Sequence, residues 1–234
     1  MPRVARASEG GWVYHVLNRG NARAQIFDDN EDYQGFEDIL FEGATKVNMR
    51  LLSYCLMPNH WHLILWPRED GDLSRYLFMI STTHTQRWHA RRGSHGMGHL
   101  YQGRYRSFPV QTDDHFLTVC RYVERNALRA RLVRRAENWR WCSLWRREQG
   151  PAGAASMLGD WPVDPGRGWL KSVNEPPTEQ ELERLRRSVS RNRPYGSPIW
   201  QVRTARRLGL ESTIRPRGRP KKQQRDKHES PYHK

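Results

Sequence analysis

The sequence predicts an α+β domain over residues 1–150, an antiparallel sheet with helices packed on one face, then a helical extension over 151–214 and a basic tail over 215–234. Three observations carry this. Segments with apolar residues at every second position, the mark of strands, alternate with segments repeating every three or four residues, the mark of amphipathic helices. Their order, β-α-β-β-α-β-α, suits a sheet with helices laid against it. Past residue 150 the composition turns rich in Pro, Gly and Ala, which ends the domain.

GWVYHVLNRG (11–20) sets Trp12, Tyr14 and Val16 against Val13, His15 and Leu17 and stops at glycine, so it reads as a strand with His15 and Leu17 on one face. NEDYQGFEDILFEGATKV (30–47) spaces Tyr33, Phe36, Leu40, Gly43 and Val47 as one helical face, with acids in the first turn and a lysine in the last. MRLLSYCLMPNHWHLILWP reads as strands over 50–56 and 60–66, joined by a tight turn at Pro58-Asn59 and stopped by Pro67. From Asp72, read as an N-cap, Leu73, Tyr76, Leu77, Ile80 and Trp88 share a helical face. RRGSHGMGHLYQG reads as a loop, and RYRSFPVQ as a short strand whose Pro109 argues for a sheet edge or a strand end. DDHFLTVCRYVERNALRARLV is the third helix, with Phe116, Leu117, Cys120 and Val123 facing inward.

In the extension, GPAGAASMLGDWPVDPGRG is loop-like. TEQELERLRRSVSRN carries a capping box of Thr178 and Glu181, and GSPIWQVRTARRLGL offers Ser197 as N-cap, Pro198 at the first helical position and a stop at Leu208-Gly209. Both helices have narrow apolar faces, so they should dock on the domain or on a partner rather than fold alone. The tail holds eight Lys/Arg and two acids over twenty residues, and is expected to be disordered without a partner.

Forty Lys and Arg against 25 Asp and Glu give a net charge of +15. Such an excess favours a polyanionic partner, nucleic acid first. No apolar run approaches the ~20 residues of a spanning helix, and no signal-peptide pattern opens the chain, so a cytoplasmic, nucleoid-associated protein is expected and no membrane partner. Cys55, Cys120 and Cys142 lack the C-x-x-C spacing of a thiolate zinc site and, being odd in number, do not suggest a disulfide framework; they read as small core residues.

His60 and His62 are the sharpest local feature. On a strand they share a face about 7 Å apart, able to converge on one ion. Two readings stand for the pair by itself: a divalent-metal site open to a phosphate, or two hydrogen-bonded histidines on a sheet. On the third helix Tyr122 lies about 200° around from Cys120, and Asn126 is one turn further on the same face, flanked by Arg125 and Arg129. Again two readings stand: an exposed tyrosine on a solvated basic face, or a nucleophile toward phosphorus whose phenolate the arginines stabilise. Arg19, after the first strand, and His15 could line the same sheet surface or be structural.

YHVLNRGN, YCLMPNHWHLIL, GRYRSFPV, YVERNALRARLV, NWRWCSLW and RPYGSPIWQVRTARRLGLESTIRPRGRPKK, in this order from about residue 11 to 222, resemble the REP-associated tyrosine transposases. These are an IS200-like branch of the single-tyrosine HUH transposases, where U is a bulky apolar residue. The resemblance implies a ferredoxin-like fold; His60 and His62, with Trp61 as U, and Asn126 as ligands of Mg2+ or Mn2+; and Tyr122 as nucleophile. It further implies cleavage and rejoining of single-stranded DNA at REP hairpins through a 5′-phosphotyrosine, with a short tetranucleotide read beside the hairpin foot. Monomer and homodimer, and use of Tyr122 in cis or in trans, both stay open. Relatives often read Asn-Pro-Val-Arg-Ala-Gly where this chain has Asn126 to Arg131, and loss of that Pro and Gly is expected to lengthen the helix.

Arg215, Arg217, Arg219, Lys221 and Lys222 lie in RPRGRPKK, which resembles the AT-hook core, an extended backbone that lets arginines enter a narrow minor groove. Nonspecific phosphate contact is the plainer reading of the same residues. The competing function is a noncatalytic nucleic-acid binder on an aromatic-bearing sheet, with RNA binding as a further alternative.

Overall fold

The computed structural model describes residues 6–215. β1 (Val13–Arg19), α1 (Asn30–Val47), β2 (Arg50–Met57), β3 (His60–Trp66), α2 (Asp72–Arg92) and β4 (Arg106–Val110) follow one another as a βαββαβ unit. The sheet runs β2-β3-β1-β4 with every neighbouring pair antiparallel, which is the ferredoxin-like arrangement.

Both faces of the sheet are covered. On one, Tyr14, Tyr54, Trp61 and Leu63 pack under Phe36 and Leu40 of α1 and Tyr76 and Ile80 of α2. The two helices approach closely at Gly43, where a Cβ would come 2.7 Å from Cε of Met79. The expectation of helices on one face holds for α1 and α2, but α3 (Asp114–Glu124) lies on the other, where its Phe116, Val119 and Cys120 meet Val13, Ile64 and Phe108. The reason is visible in β3, whose residues Trp61 to Leu65 are all buried. A strand apolar on both sides needs cover on both sides.

Two helix boundaries differ from expectation. α2 begins at Asp72 itself, with Gly71 at φ 86 in the cap position, while the Asp72 carboxylate accepts from the Glu69 amide at 3.0 Å. The third helix is not lengthened: it breaks at Arg125, continues only as α4 (Asn126–Arg129), and stops where Arg131 turns left-handed at φ 60. The amides of Arg131 and Leu132 bond back to the carbonyls of Leu128 and Ala127, each at 3.0 Å, closing the end as a Schellman motif does. Arg131 thus adopts a left-handed conformation that favours glycine.

The sheet edges are occupied from the rest of the chain. Along β2, the Leu56 amide donates to Trp141 O at 2.9 Å, and α5 (Ser143–Glu148) follows. Trp141 stacks on Tyr33 with centroids 5.0 Å apart. Then come α6 (Trp169–Asn174), α7 (Glu179–Arg191), α8 (Pro198–Arg207) and α9 (Glu211–Ile214). α7 starts on the Thr178–Glu181 capping box and α8 on Ser197, as the sequence indicates. Between them Tyr195 lies along β4, its amide donating to Pro109 O at 2.9 Å, so Pro109 is at the sheet edge and its carbonyl is still satisfied. Among the described residues no helix is long and apolar enough to cross a membrane, and all three cysteines are buried and free.

Candidate active site

The sheet face that α3 covers carries both histidines. β3 pairs His62 with Leu17 and Cys55, and His60 with Arg19 and Met57, and the two-residue strand period sets both imidazoles toward α3, ring centroids 5.1 Å apart. His60 opens the strand directly after the Pro58-Asn59 turn, and its Nδ1 lies 2.6 Å from Asn59 Oδ1. His62 Nδ1 lies 2.9 Å from Nε2 of His15, a diagonal neighbour on β1 that is fully buried. These hydrogen bonds use Nδ1 of both rings and leave each Nε2 for a ligand. Burial pushes His60 down to about 4, with the charges of Arg19 and Arg129 acting in the same direction. Burial likewise holds His62 well below the usual imidazole range, and His15, Arg129 and Arg19 add to it. Both rings are therefore neutral near pH 7, the form that coordinates a metal.

α3 delivers the tyrosine. It starts on the Asp113 carboxylate, which accepts from the His115 amide at 2.9 Å. It is pinned at its other end by fully buried Glu124, which accepts from Ser143 Oγ at 2.7 Å and Trp169 Nε1 at 2.9 Å and pairs with Arg147 at 2.7 Å. One face is buried against the sheet, and Tyr122, at the margin of that face, stands edge-on to His62 with centroids 5.7 Å apart and to His15 at 6.4 Å. Asn126, one turn on, is buried; its Oδ1 accepts from Arg129 Nη2 at 2.7 Å, and its Nδ2 has no partner among the described residues. Arg129 also sits over the Tyr122 ring, Cζ 4.7 Å from its centroid. Tyr122, Asn126 and Arg129 thus form one interacting column at helical spacing.

The donor set fits a divalent cation: two neutral imidazoles with Nε2 available, and an amide oxygen whose second lone pair is uncommitted. The set contains no carboxylate, and among the described residues no three His, Cys, Asp or Glu side chains cluster as a metal site. The site is instead positively biased by Arg19 and Arg129, which suits a phosphate more than a bare dication.

The structure brings together His60, His62, Tyr122, Asn126, Arg129 and Arg19, whose Nε is buried without a hydrogen-bond partner among the described residues. It does not bring Arg125, which turns to α6 and donates to the carbonyls of Val173 at 2.9 Å and Asn174 at 2.5 Å. Arg215 is exposed, remote in sequence from the column; Arg217, Arg219, Lys221 and Lys222 lie outside the described residues. Sequence reasoning placed His15 on a strand face but missed its bond to His62. Strand alternation was the only signal, because the β1–β3 register cannot be read from either segment alone.

The model of the IS200-like transposase family matches residues 10–126, 117 of 234, a span holding all four residues His60, His62, Tyr122 and Asn126. No curated protein matches the chain. Among solved structures, a REP-associated tyrosine transposase bound to a REP hairpin is similar at 18% identity, with 70% of this chain and 94% of that one covered and a TM-score of 0.52. A Deinococcus radiodurans R1 protein assigned as a transposase is similar at 22% identity over 53% of this chain and 96% of its own, TM-score 0.38. The first likeness shows the shared fold, and the family match shows the kinship: this chain belongs to the IS200-like transposase family.

Proposed function

We propose that this protein is a metal-dependent single-stranded DNA transesterase that cleaves and rejoins hairpin DNA of the REP type, with Tyr122 as the nucleophile. The observation that carries this reading is the edge contact of Tyr122 with His62 at 5.7 Å within one chain, beneath the Arg129 guanidinium. His60, His62 and Asn126 would hold Mg2+ or Mn2+, which when bound polarises the scissile phosphate.

The chain's own residues do the rest. Tyr122 Oη attacks phosphorus and loses its proton; the P–O3′ bond breaks, the 3′ oxygen gains a proton, and the 5′ end stays on the enzyme as a phosphotyrosine. A 3′-hydroxyl attacking that ester reverses the step and rejoins the strand. Arg129 lies where negative charge develops on the phenolate and the phosphoryl oxygens. Asn59 and His15 orient the two imidazoles through Nδ1. Residues 1–150 carry this chemistry, 151–214 brace α3 and contribute basic surface, and the tail from Arg215 adds affinity for duplex DNA.

Incubation with labelled hairpin DNA bearing a single-stranded flank, in Mn2+, should give an SDS-stable protein–DNA adduct with wild type and none with Tyr122→Phe. Equal behaviour of the two proteins would refute the nucleophile. Tight hairpin binding with no adduct under any divalent ion would favour the noncatalytic binder.

A further inference from the structure

α7 and the segment after it carry arginines that the site above does not use. Arg184, Arg187 and Arg193, with Tyr195 and Gln201, line a cavity of about 380 Å³ at the corner between α7 and α8. Its walls are fixed. Arg193 donates twice to Gln201 Oε1, from Nε at 2.9 Å and Nη2 at 2.6 Å, and Gln201 Nε2 donates to Gly196 O at 2.8 Å. Tyr195 is anchored along β4, and Gly196 is pressed so closely that a Cβ would meet Gln111 Oε1 at 2.6 Å. Arg106 Nη1 ties the end of α7 to the same strand through Ser190 O at 2.8 Å. The cavity is therefore rigidly attached to the sheet.

Two of its three arginines, Arg184 and Arg193, have no carboxylate partner among the described residues. Elsewhere in the molecule arginines meet carboxylates: Arg91 and Arg92 with Asp32, Arg146 with Glu37, Arg147 with Glu124. Here Arg184 reaches His115 Nε2 at 3.5 Å and Gly196 O at 3.4 Å and lies over the Tyr195 ring, Cζ 5.6 Å from its centroid, while Arg193 bonds Gln201 and Arg191 the Arg215 carbonyl. Among the described residues none of these three has an ion pair. Arg187 has one, with Glu183 at 2.8 Å on an exposed helix face. Burial, and after it the charges of Arg187, Arg191 and Arg184, push the Arg193 guanidinium below its usual range. Like charges held around a preformed cavity oppose folding, and an anion entering the cavity removes that opposition. Guanidinium groups in fixed orientation match phosphate oxygens in geometry as well as charge. Arg191, at the end of α7, donates to the carbonyl of Arg215, the last described residue.

We propose that the Arg184–Arg187–Arg193 cavity is a clamp for a DNA backbone phosphate, a second DNA contact apart from the Tyr122 site. This rests on the reading of the chain as a DNA-processing protein, and its partner is the DNA whose strand reaches Tyr122. The clamp makes no base contacts, so it positions the substrate without reading sequence.

The test is binding of a fluorescein-labelled DNA hairpin to the full chain by anisotropy, without divalent metal, over 50–300 mM NaCl. Arg184→Gln and Arg187→Gln, both on solvent-facing sites of α7, should each weaken binding about 3–10-fold and reduce the slope of log K against log salt by about 1. Arg193→Lys keeps the charge but loses the fork, and should weaken binding while changing the slope less. Unchanged affinity and slope in Arg184→Gln and Arg187→Gln, with wild-type melting temperatures, would overturn the clamp. So would stabilisation of wild type by 10 mM inorganic phosphate, lost in these variants, while hairpin binding is unaffected, since the site would then serve free phosphate. Because binding is read without metal or cleavage, the outcome is independent of whether Tyr122 forms an adduct.

Discussion

His15 and His62, on adjacent antiparallel strands, are joined ring to ring, Nε2 to Nδ1, at 2.9 Å in the buried sheet. If His62 coordinates through Nε2, its Nδ1–H donates and His15 Nε2 accepts the hydrogen bond, which fixes both tautomer and ring orientation. His15→Phe removes the acceptor and should weaken Mn2+ binding about 10–100-fold by calorimetry. His15→Gln, which can still accept through its amide oxygen, should recover part of the loss. Mn2+ affinity unchanged in a folded His15→Phe protein would leave His15 a packing residue.

Arg129 shares with the proposed metal the amide oxygen of Asn126. It donates to Asn126 Oδ1 at 2.7 Å and adds positive charge beside His60 and His62. Arg129→Gln should raise Mn2+ affinity of the DNA-free protein about tenfold by removing a nearby like charge, yet slow adduct formation by about tenfold or more by removing stabilisation of the phenolate and phosphate. The opposite directions separate this role from simple misfolding, which would lower both.

Tyr122 contacts the histidines of its own chain. Mixing Tyr122→Phe with His62→Ala protein should therefore give no adduct above that of either alone. Recovery toward half of wild-type activity in the mixture would instead show that the tyrosine serves a partner's site.

The left-handed Arg131, exposed at the close of α4 at φ 60, stands where a Schellman motif suits glycine. Arg131→Gly should stabilise the fold by up to about 1 kcal/mol, because a Cβ at that φ costs roughly that much. Urea denaturation with an unchanged m-value is the measurement; destabilisation would mean the Arg131 side chain contributes more than the backbone strain removes.

The sequence by itself determined which residues share a face. The strand period put His60 and His62 together, the helix period put Tyr122 one turn from Asn126, and the capping residues at Thr178 and Ser197 are those the structure uses. It also carried the βαββαβ order, since turn chemistry and local periodicity act within a few residues. Only tertiary structure decided which faces meet. That α3 lies on the side of the sheet opposite α1 and α2, that His15 reaches His62 across a register, that Arg129 turns inward to Asn126 while Arg125 turns away to α6, and that three arginines of the extension line one cavity all depend on contacts between distant or separately folded segments. Periodicity reports a side chain's direction relative to its own backbone. It says nothing of what lies opposite, and on strands buried from both sides, as β3 is, even the contrast between inside and outside is lost.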